Sequence, residues 1–332
     1  MSSLPIGDPV LAEALTERLA LVEERLRDAV TQPDRLADTA SRHLVNAGGK
    51  RIRPLLTLLA AQLGEGQRPE VIDAAVVVEL THLATLYHDD VMDSAPVRRG
   101  APSAHEVWGN QVAILTGDLL FARASGIVAG LGPEAVRIQA ATFERLCLGQ
   151  LHETVGPSPG ADPIAHYLQV LSDKTASLIA TSGRFGAMFA GCPAGVVSTM
   201  VAYGEKVGVA FQLADDVIDL TVDPALTGKN PGTDLREGVP TMPGLLLRRR
   251  AAGPDADPAD RELVDLLDSD LTDDAHLDQA LAALRDHPVV DETRQRALTL
   301  AREAIEAIAP LPAGPAKDAL AAFGDALVAR TS

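Results

Sequence analysis

An all-α, single-domain bundle is the fold this chain predicts, and three observations carry the prediction. Apolar side chains recur at three- and four-residue spacing along most of the length, the period of a helix face rather than of a strand. Of the 332 residues 46% are apolar and only 3% aromatic, with Ala, Leu and Val dominant, a mixture that packs helices better than pleated sheets. The Gly- and Pro-rich breakers fall mainly between the periodic stretches, where loops belong.

The first helix is expected over Leu11–Val30, where apolar positions interleave with Glu and Arg in an amphipathic pattern. Similar patterns predict helices at Arg53–Leu63, Pro69–Asp93, Trp108–Gly130, Pro133–Val155, Ile164–Ala190 and Gly195–Asp219. Shorter ones follow at Asp260–Leu267, Asp274–Asp286, Asp291–Ile308 and Ala316–Arg330. Gly48-Gly49, Gly64-Glu65-Gly66, Gly156–Gly160, Pro231-Gly232 and the Gly-, Pro- and Asp-rich Ala251–Ala259 read as loops. Several helices are apolar on most faces and are expected at the centre of the bundle. No strand alternation and no short repeat is evident.

The net charge of −17 argues against a nucleic-acid partner and makes any local basic cluster stand out. Two cysteines, Cys147 and Cys192, give neither a disulfide framework nor zinc-ligand spacing, which fits a reduced, cytoplasmic setting. The N-terminus lacks the basic-then-apolar pattern of a signal peptide. No apolar run reaches the roughly 18 residues expected of a membrane span.

Nearly the same acidic pentad occurs twice, as Asp89-Asp90-Val91-Met92-Asp93 and Asp215-Asp216-Val217-Ile218-Asp219. Each closes an apolar, helix-like run, so its carboxylates end a buried helix instead of lying on a solvated face. Ionised groups in such a place need cations or strong donors. Asp89 and Asp93, like Asp215 and Asp219, are four residues apart and share a helix face. Hard oxygen donors of this kind point to Mg²⁺ shared with a phosphate-bearing substrate.

Two basic islands stand against this background. Gly48-Gly49-Lys50-Arg51-Ile52-Arg53-Pro54 sets three cations beside two glycines, and Arg98-Arg99-Gly100 follows the first pentad by five residues. Both suit anion binding, since arginine forks onto phosphate oxygens and glycine lets the backbone approach. Arg98 and Arg99 could equally neutralise Asp89–Asp93. The Gly48–Pro54 spacing is not that of a P-loop.

Taken in order, these elements resemble the all-trans polyprenyl diphosphate synthase family of head-to-tail prenyltransferases. Trp108-Gly109-Asn110, Gly117-Asp118, Lys174-Thr175, Phe211-Gln212 and Gly228-Lys229 extend the likeness over roughly residues 40–245. The resemblance implies an isoprenoid synthase fold, one domain over residues 1–332 with a central substrate cavity and C-terminal helices at 260–330. It implies Mg²⁺, three ions per active site, with Asp89, Asp93 and Asp215 as main ligands and Asp90, Asp216 and Asp219 as nearby groups. Arg98, Lys174 and Lys229 would contact the diphosphate of an allylic substrate. Lys50, Arg53, His82 and Arg99 would hold that of isopentenyl diphosphate, and Thr175 and Gln212 would line the reacting carbons. Ionisation of the allylic diphosphate, attack by the isopentenyl alkene and loss of a proton to released diphosphate would complete the reaction. A homodimer, with peripheral membrane contact for product release, is the family's expectation. One departure is that Val239, in Asp234-Leu235-Arg236-Glu237-Gly238-Val239, stands where the family often has a third lysine, so that cation is missing or replaced by Arg236.

Product length should depend on the residues just before Asp89. In the family, bulky aromatics four or five positions upstream stop growth early; here Thr85 and Ala84 are small, and the two-residue insertion of many bacterial short-chain enzymes is absent. This favours a medium- or long-chain polyprenyl diphosphate over a geranylgeranyl or farnesyl product. Ala84 and Thr85 could instead be close helix contacts, with Tyr87 or the helix around Phe143 as the stopper. A terpene cyclase or head-to-head synthase would lack the Lys50–Arg53 and Arg99 site. A non-catalytic regulatory subunit would typically have lost acidic residues. A histidine–aspartate phosphohydrolase, suggested by His88-Asp89, would leave the second pentad unexplained.

Overall fold

The structure is a computed structural model that describes residues 6–221 and 231–329. Its helices begin where local chemistry starts them. Asp8 caps α1 (Pro9–Ala29), its Oδ1 accepting from Leu11 N–H at 2.8 Å, with Pro9 in the first turn. Asp34 does the same for α2 (Arg35–Asn46), a helix the sequence reading missed because only Ala40, Ser41, Leu44 and Val45 are buried along it. There follow α3 (Ile52–Ala61) and α4 (Pro69–Met92). The expected helix at Trp108–Gly130 is two, α5 (Ala104–Trp108) and α6 (Asn110–Gly130), parted at Gly109 by a φ of 84°. α7 covers Pro133–Val155 as expected.

The predicted Ile164–Ala190 helix has a flaw in its middle. It runs as α8 (Pro163–Leu171), a π-helical turn at Ser172–Ala176, and α9 (Ser177–Phe189). α10 is Ala194–Thr221. Beyond the undescribed stretch come helices at Thr233–Arg236 and Met242–Ala251, neither of which the periodicity revealed. Helices at Pro258–Leu267, Asp274–Arg285, Pro288–Ala307 and Pro315–Val328 agree with expectation to within three residues. Among the described residues the regular structure that is not helical is an antiparallel hairpin of β1 (Val97–Arg98) and β2 (Ala101–Pro102). Its turn residues Arg99 and Gly100 have φ of 54° and 78°, the positive pair that a tight two-residue hairpin requires.

The chain forms two compact units whose boundaries fall inside α7 and inside α10. One comprises residues 1–146, 177–204 and 307–323, and the other comprises 147–176, 205–306 and 324–332. In the first, α4 packs against α1, α3, α6 and α9 and is buried on most sides, which explains its apolar composition. Contact is close enough to require glycine. A β-carbon on Gly117 of α6 would lie 2.3 Å from His88 Nε2 of α4, and one on Gly186 of α9 would lie 2.1 Å from the Thr57 carbonyl of α3. The second unit has its own core, in which Leu213, Val217 and Leu220 of α10 meet Leu246, Leu247, Leu277, Leu281 and Leu284.

Contrary to the sequence expectation, α4 and α6 are each long and apolar enough to cross a membrane by length and composition, their few polar residues being spread among apolar ones. For α4 the protein core accounts for this. α6 is mostly uncovered by the chain itself and displays Ile114 and Leu115.

Candidate active site

In the first unit α4 delivers its carboxylates at its C-terminal end, where the helix dipole already adds negative charge. Asp93 is the exposed cap, its N–H donating to the Asp89 carbonyl at 2.8 Å; Asp89 is half-buried. Asp90 is fully buried, accepting from Arg98 Nε at 2.6 Å through Oδ1, while its buried Oδ2 has no hydrogen-bond partner. Burial pushes the Asp90 carboxyl up, against the opposing pull of Arg98. Arg98 therefore takes the neutralising role that the sequence left open for both arginines.

Arg99 does not share that role. With its positive φ at the hairpin turn it reaches back to the carbonyls of Leu44, at 3.1 Å, and Gly48. There its guanidinium covers Gly49 so closely that a β-carbon on Gly49 would sit 2.9 Å from the guanidinium carbon. Arg53, from the first turn of α3, belongs to the same neighbourhood. Its Nε is buried with no hydrogen-bond partner, and burial followed by the charge of Arg99 brings its pKa down to about 10. Burial first, then Arg53, Arg99, Arg98 and Arg51, hold His82 well below the usual imidazole range, so it is neutral at pH 7. Lys50 lies exposed on the loop before α3.

Of the residues expected to govern length, Ala84 is fully buried and its carbonyl faces α6, 3.0 Å from where a β-carbon on Gly117 would stand. Thr85 is half-buried and bonds only within its own helix, to the His82 carbonyl at 2.9 Å. Tyr87 is turned toward α2, donating to the Ala40 carbonyl at 2.5 Å and accepting from Leu44 N–H at 3.2 Å. Phe143 of α7 stacks on Phe121 of α6 with ring centroids 3.7 Å apart.

The second unit has its own acidic and cationic groups. Asp215 and Asp219 are half-buried on α10, and Asp216 is buried behind them. Asp216 Oδ2 accepts from the Tyr167 hydroxyl at 2.7 Å and from Met242 N–H at 2.9 Å. Burial nevertheless pushes its pKa up to about 8, with Asp234 and Asp215 adding to the rise. Lys174, on the π-helical turn, pairs with Glu153 of α7, and Thr175 Oγ1 lies 3.3 Å from Gln212 Oε1 of α10. The turn is gripped from two sides. A β-carbon on Gly149 would be 2.6 Å from Lys174 N, and one on Gly208 2.4 Å from Ala176 Cα. Lys229 lies outside the described residues.

Asp234 is a member that motif reading passed over, although it heads the stretch ending in Val239. Its N–H donates to Asp219 Oδ2 at 3.3 Å, and burial with the charges of Asp219 and Asp215 pushes its carboxyl to about 7. Glu153 was missed as well, since a lone glutamate on an amphipathic helix carries no signal of its own. Arg236 does not stand in for the missing lysine in this arrangement. It is exposed and faces outward, to Asp274 Oδ1 at 2.6 Å and the Thr272 carbonyl at 3.3 Å.

Among the described residues no three His, Cys, Asp or Glu side chains are gathered to hold a metal by themselves. The half-buried or exposed Asp89, Asp93, Asp215 and Asp219 offer hard carboxylate oxygens, the donor type that a divalent ion such as Mg²⁺ takes together with water and substrate phosphates. Burial first, and then the neighbouring carboxylates, raise Asp216 and Asp234, and a bound cation would relieve the repulsion within the second unit's cluster. Both observations fit a divalent ion.

Comparison with known proteins is consistent with this chemistry. The polyprenyl synthetase family model matches residues 34–284. Nonaprenyl diphosphate synthase of Mycobacterium tuberculosis is 46% identical over 331 residues, covering 99% of this chain and 97% of that protein. Two solved structures superpose over nearly the full length. The polyprenyl synthase from Caulobacter crescentus, complexed with calcium and isoprenyl diphosphate, has a TM-score of 0.88 and 31% identity, covering 100% of both chains. The geranylgeranyl pyrophosphate synthase from Corynebacterium glutamicum, complexed with the same ligands, has a TM-score of 0.86 and 41% identity, covering 98% of this chain and 99% of that one.

Proposed function

The chain belongs to the polyprenyl synthetase family, and from that premise we propose how its residues divide the work of a trans-prenyltransferase. The enzyme condenses isopentenyl diphosphate with an allylic diphosphate to make a medium- or long-chain polyprenyl diphosphate. The observation that carries this reading is the parting of Arg98 from Arg99. One arginine answers the acidic end of α4; the other joins Arg53 and His82 in a separate basic group suited to a second diphosphate. A cyclase, which acts on a single diphosphate, has no need of that second group.

Asp89 and Asp93, and likewise Asp215 and Asp219, would hold Mg²⁺, three ions in all. When bound, the ions neutralise the charge that develops on departing diphosphate. Asp90 and Asp216, buried and hydrogen-bonded, orient their neighbours. Arg98, Lys174 and Lys229 would add positive charge at the allylic diphosphate. Lys50, Arg53, His82 and Arg99 would grip the isopentenyl diphosphate, with neutral His82 donating a hydrogen bond without adding to the local positive charge. Thr175 and Gln212 would lie along the reacting carbons, and Thr85 and Ala84 along the growing chain. No side chain acts as a nucleophile.

We take the 332 residues as one isoprenoid synthase domain, cytoplasmic and homodimeric, meeting the membrane peripherally when product leaves. The exposed apolar face of α6 supports the dimer. A geranylgeranyl product is the second reading, favoured by the Corynebacterium likeness and by the full burial of Ala84. Mass analysis of products from labelled isopentenyl diphosphate with each allylic primer tests both. Chains beyond twenty carbons are expected. A pure twenty-carbon product would select the second reading, and no elongation with any primer would refute the activity.

A further inference from the structure

The basic group of the first unit contains an arginine that the roles above leave unused. Arg51 lies between Lys50 and Arg53, yet it is 3% exposed and points into the protein. Each of its guanidinium nitrogens is engaged. Nε donates to Glu23 Oε1 at 2.5 Å and Nη1 to Glu79 Oε1 at 2.8 Å. Nη2 donates to Glu23 Oε2 at 3.3 Å and to the Val45 carbonyl at 3.2 Å, and Nη1 also to the Gly48 carbonyl at 3.3 Å. Its backbone is left-handed, φ 50° and ψ 37°, a conformation a non-glycine residue keeps only when its surroundings over-determine it.

Glu79 is the other half of the device. It is 2% exposed, sits on α4 three residues before His82, and acts electrostatically on Arg51, Arg53 and Arg99 together. A single buried carboxylate thus faces three guanidiniums, and its Oε1 accepts from Arg51. Arg51 in turn holds the Val45 and Gly48 carbonyls, and the Gly48 carbonyl is also bound by Arg99. The loop on which Arg99 rests is therefore braced from behind by Arg51.

We propose that Arg51, clamped between Glu23 and Glu79, is a positioning residue for the second diphosphate. It touches no substrate, but it fixes the Gly48-Gly49-Lys50 loop so that Arg53 and Arg99 converge on one anion. The inference rests on the assignment of that basic group to isopentenyl diphosphate.

The test is steady-state kinetics in both substrates, calorimetric titration of isopentenyl diphosphate into the full-length enzyme, and thermal unfolding of each variant. Arg51→Lys keeps the charge but loses the planar fork. It should raise the isopentenyl diphosphate KM and Kd by about ten- to a hundredfold, the scale on which small misplacements act, with the allylic KM and kcat nearly unchanged. Glu23→Gln, at the solvent edge of the clamp, should give a smaller shift of the same kind and serves if Arg51→Lys does not fold. Replacing the buried pair together, Arg51→Met with Glu79→Leu, should recover part of the thermal stability lost in Glu79→Leu alone, because the Arg51 guanidinium is no longer buried without Glu79. It should not recover the KM. A KM that returns with stability would show the clamp to be structural only and overturn the proposal, as would Arg51→Lys and Glu23→Gln with unchanged isopentenyl diphosphate binding. Arg99→Ala separates the two levels of the argument. If it leaves isopentenyl diphosphate binding intact, the assignment of the basic group fails and the proposal with it; if it weakens binding while the Arg51 variants do not, only the proposal fails.

Discussion

Arg98 and Arg99 are adjacent and equally charged, and what separates their tasks is a two-residue turn with positive φ. The same sorting runs through the acidic pentads. Their middle aspartates, Asp90 and Asp216, are buried and bonded to protein groups, while Asp89, Asp93, Asp215 and Asp219 keep some exposure. Repeated sequence thus becomes two kinds of carboxylate, one that supports and one that can ligate. Asp89→Ala or Asp215→Ala should lower turnover by at least about a hundredfold, the scale of losing one preorganised charge-stabilising group, with helical circular dichroism retained. Near-normal Mg²⁺-dependent turnover of either variant would remove that aspartate from the metal set. The pentads and basic islands were legible in sequence because charge at the end of an apolar run is conspicuous. Asp234 and Glu153 were not, since each owes its place to chain returning from a distance, and the choice between a missing cation and Arg236 stayed open because spacing says nothing about which way a surface side chain faces.

At the scale of elements, the π-helical turn at Ser172–Ala176 sets the position of Lys174 and Thr175, and two glycines on flanking helices fit against it. Gly208→Ala should destabilise the protein by about 1–3 kcal/mol through overpacking and lower activity more than an alanine at exposed Gly126 does. A thermal midpoint equal to wild type would show that the close approach is easily relaxed. Periodicity alone could not reveal this turn, since its slip of about one residue leads into α9, which is buried on most sides and has no sharp polar face to mark the change of phase. The hairpin was equally hidden, because two residues per strand are too few to alternate. α4 adds a correction of emphasis on product length. Ala84 is packed against α6, so enlarging it would strain a helix contact before it could report on a tunnel. Thr85 is the cleaner probe. Thr85→Phe should shift products to shorter chains by mass spectrometry, and an unchanged distribution would take the hydrocarbon path away from that face of α4.

For the whole molecule, a chain of net charge −17 that recruits polyanionic substrates must do so locally, through the small basic group that Glu79 only partly offsets. Its other unbalanced surface is apolar. Leu115 on α6 is 65% exposed, and a solvated monomer gains nothing from displaying it beside Ile114. Light scattering coupled to size exclusion should report a dimer for the native chain and a monomer for Leu115→Asp; a native monomer would refute the dimer, and a variant still dimeric would move the interface elsewhere. α4 binds these scales together. Glu79, His82 and Asp89 are carried on one unbroken helix at intervals of three and seven residues, so the buried glutamate, the neutral histidine and the carboxylate proposed for the metal share a common phase. A single inserted residue between them would turn the acidic end by about 100° relative to the basic group. Within residues 79–89, therefore, the chain is open to change by substitution but closed to change in length. Diversity in what this enzyme builds has to be written in the letters of that helix, since its metre is fixed.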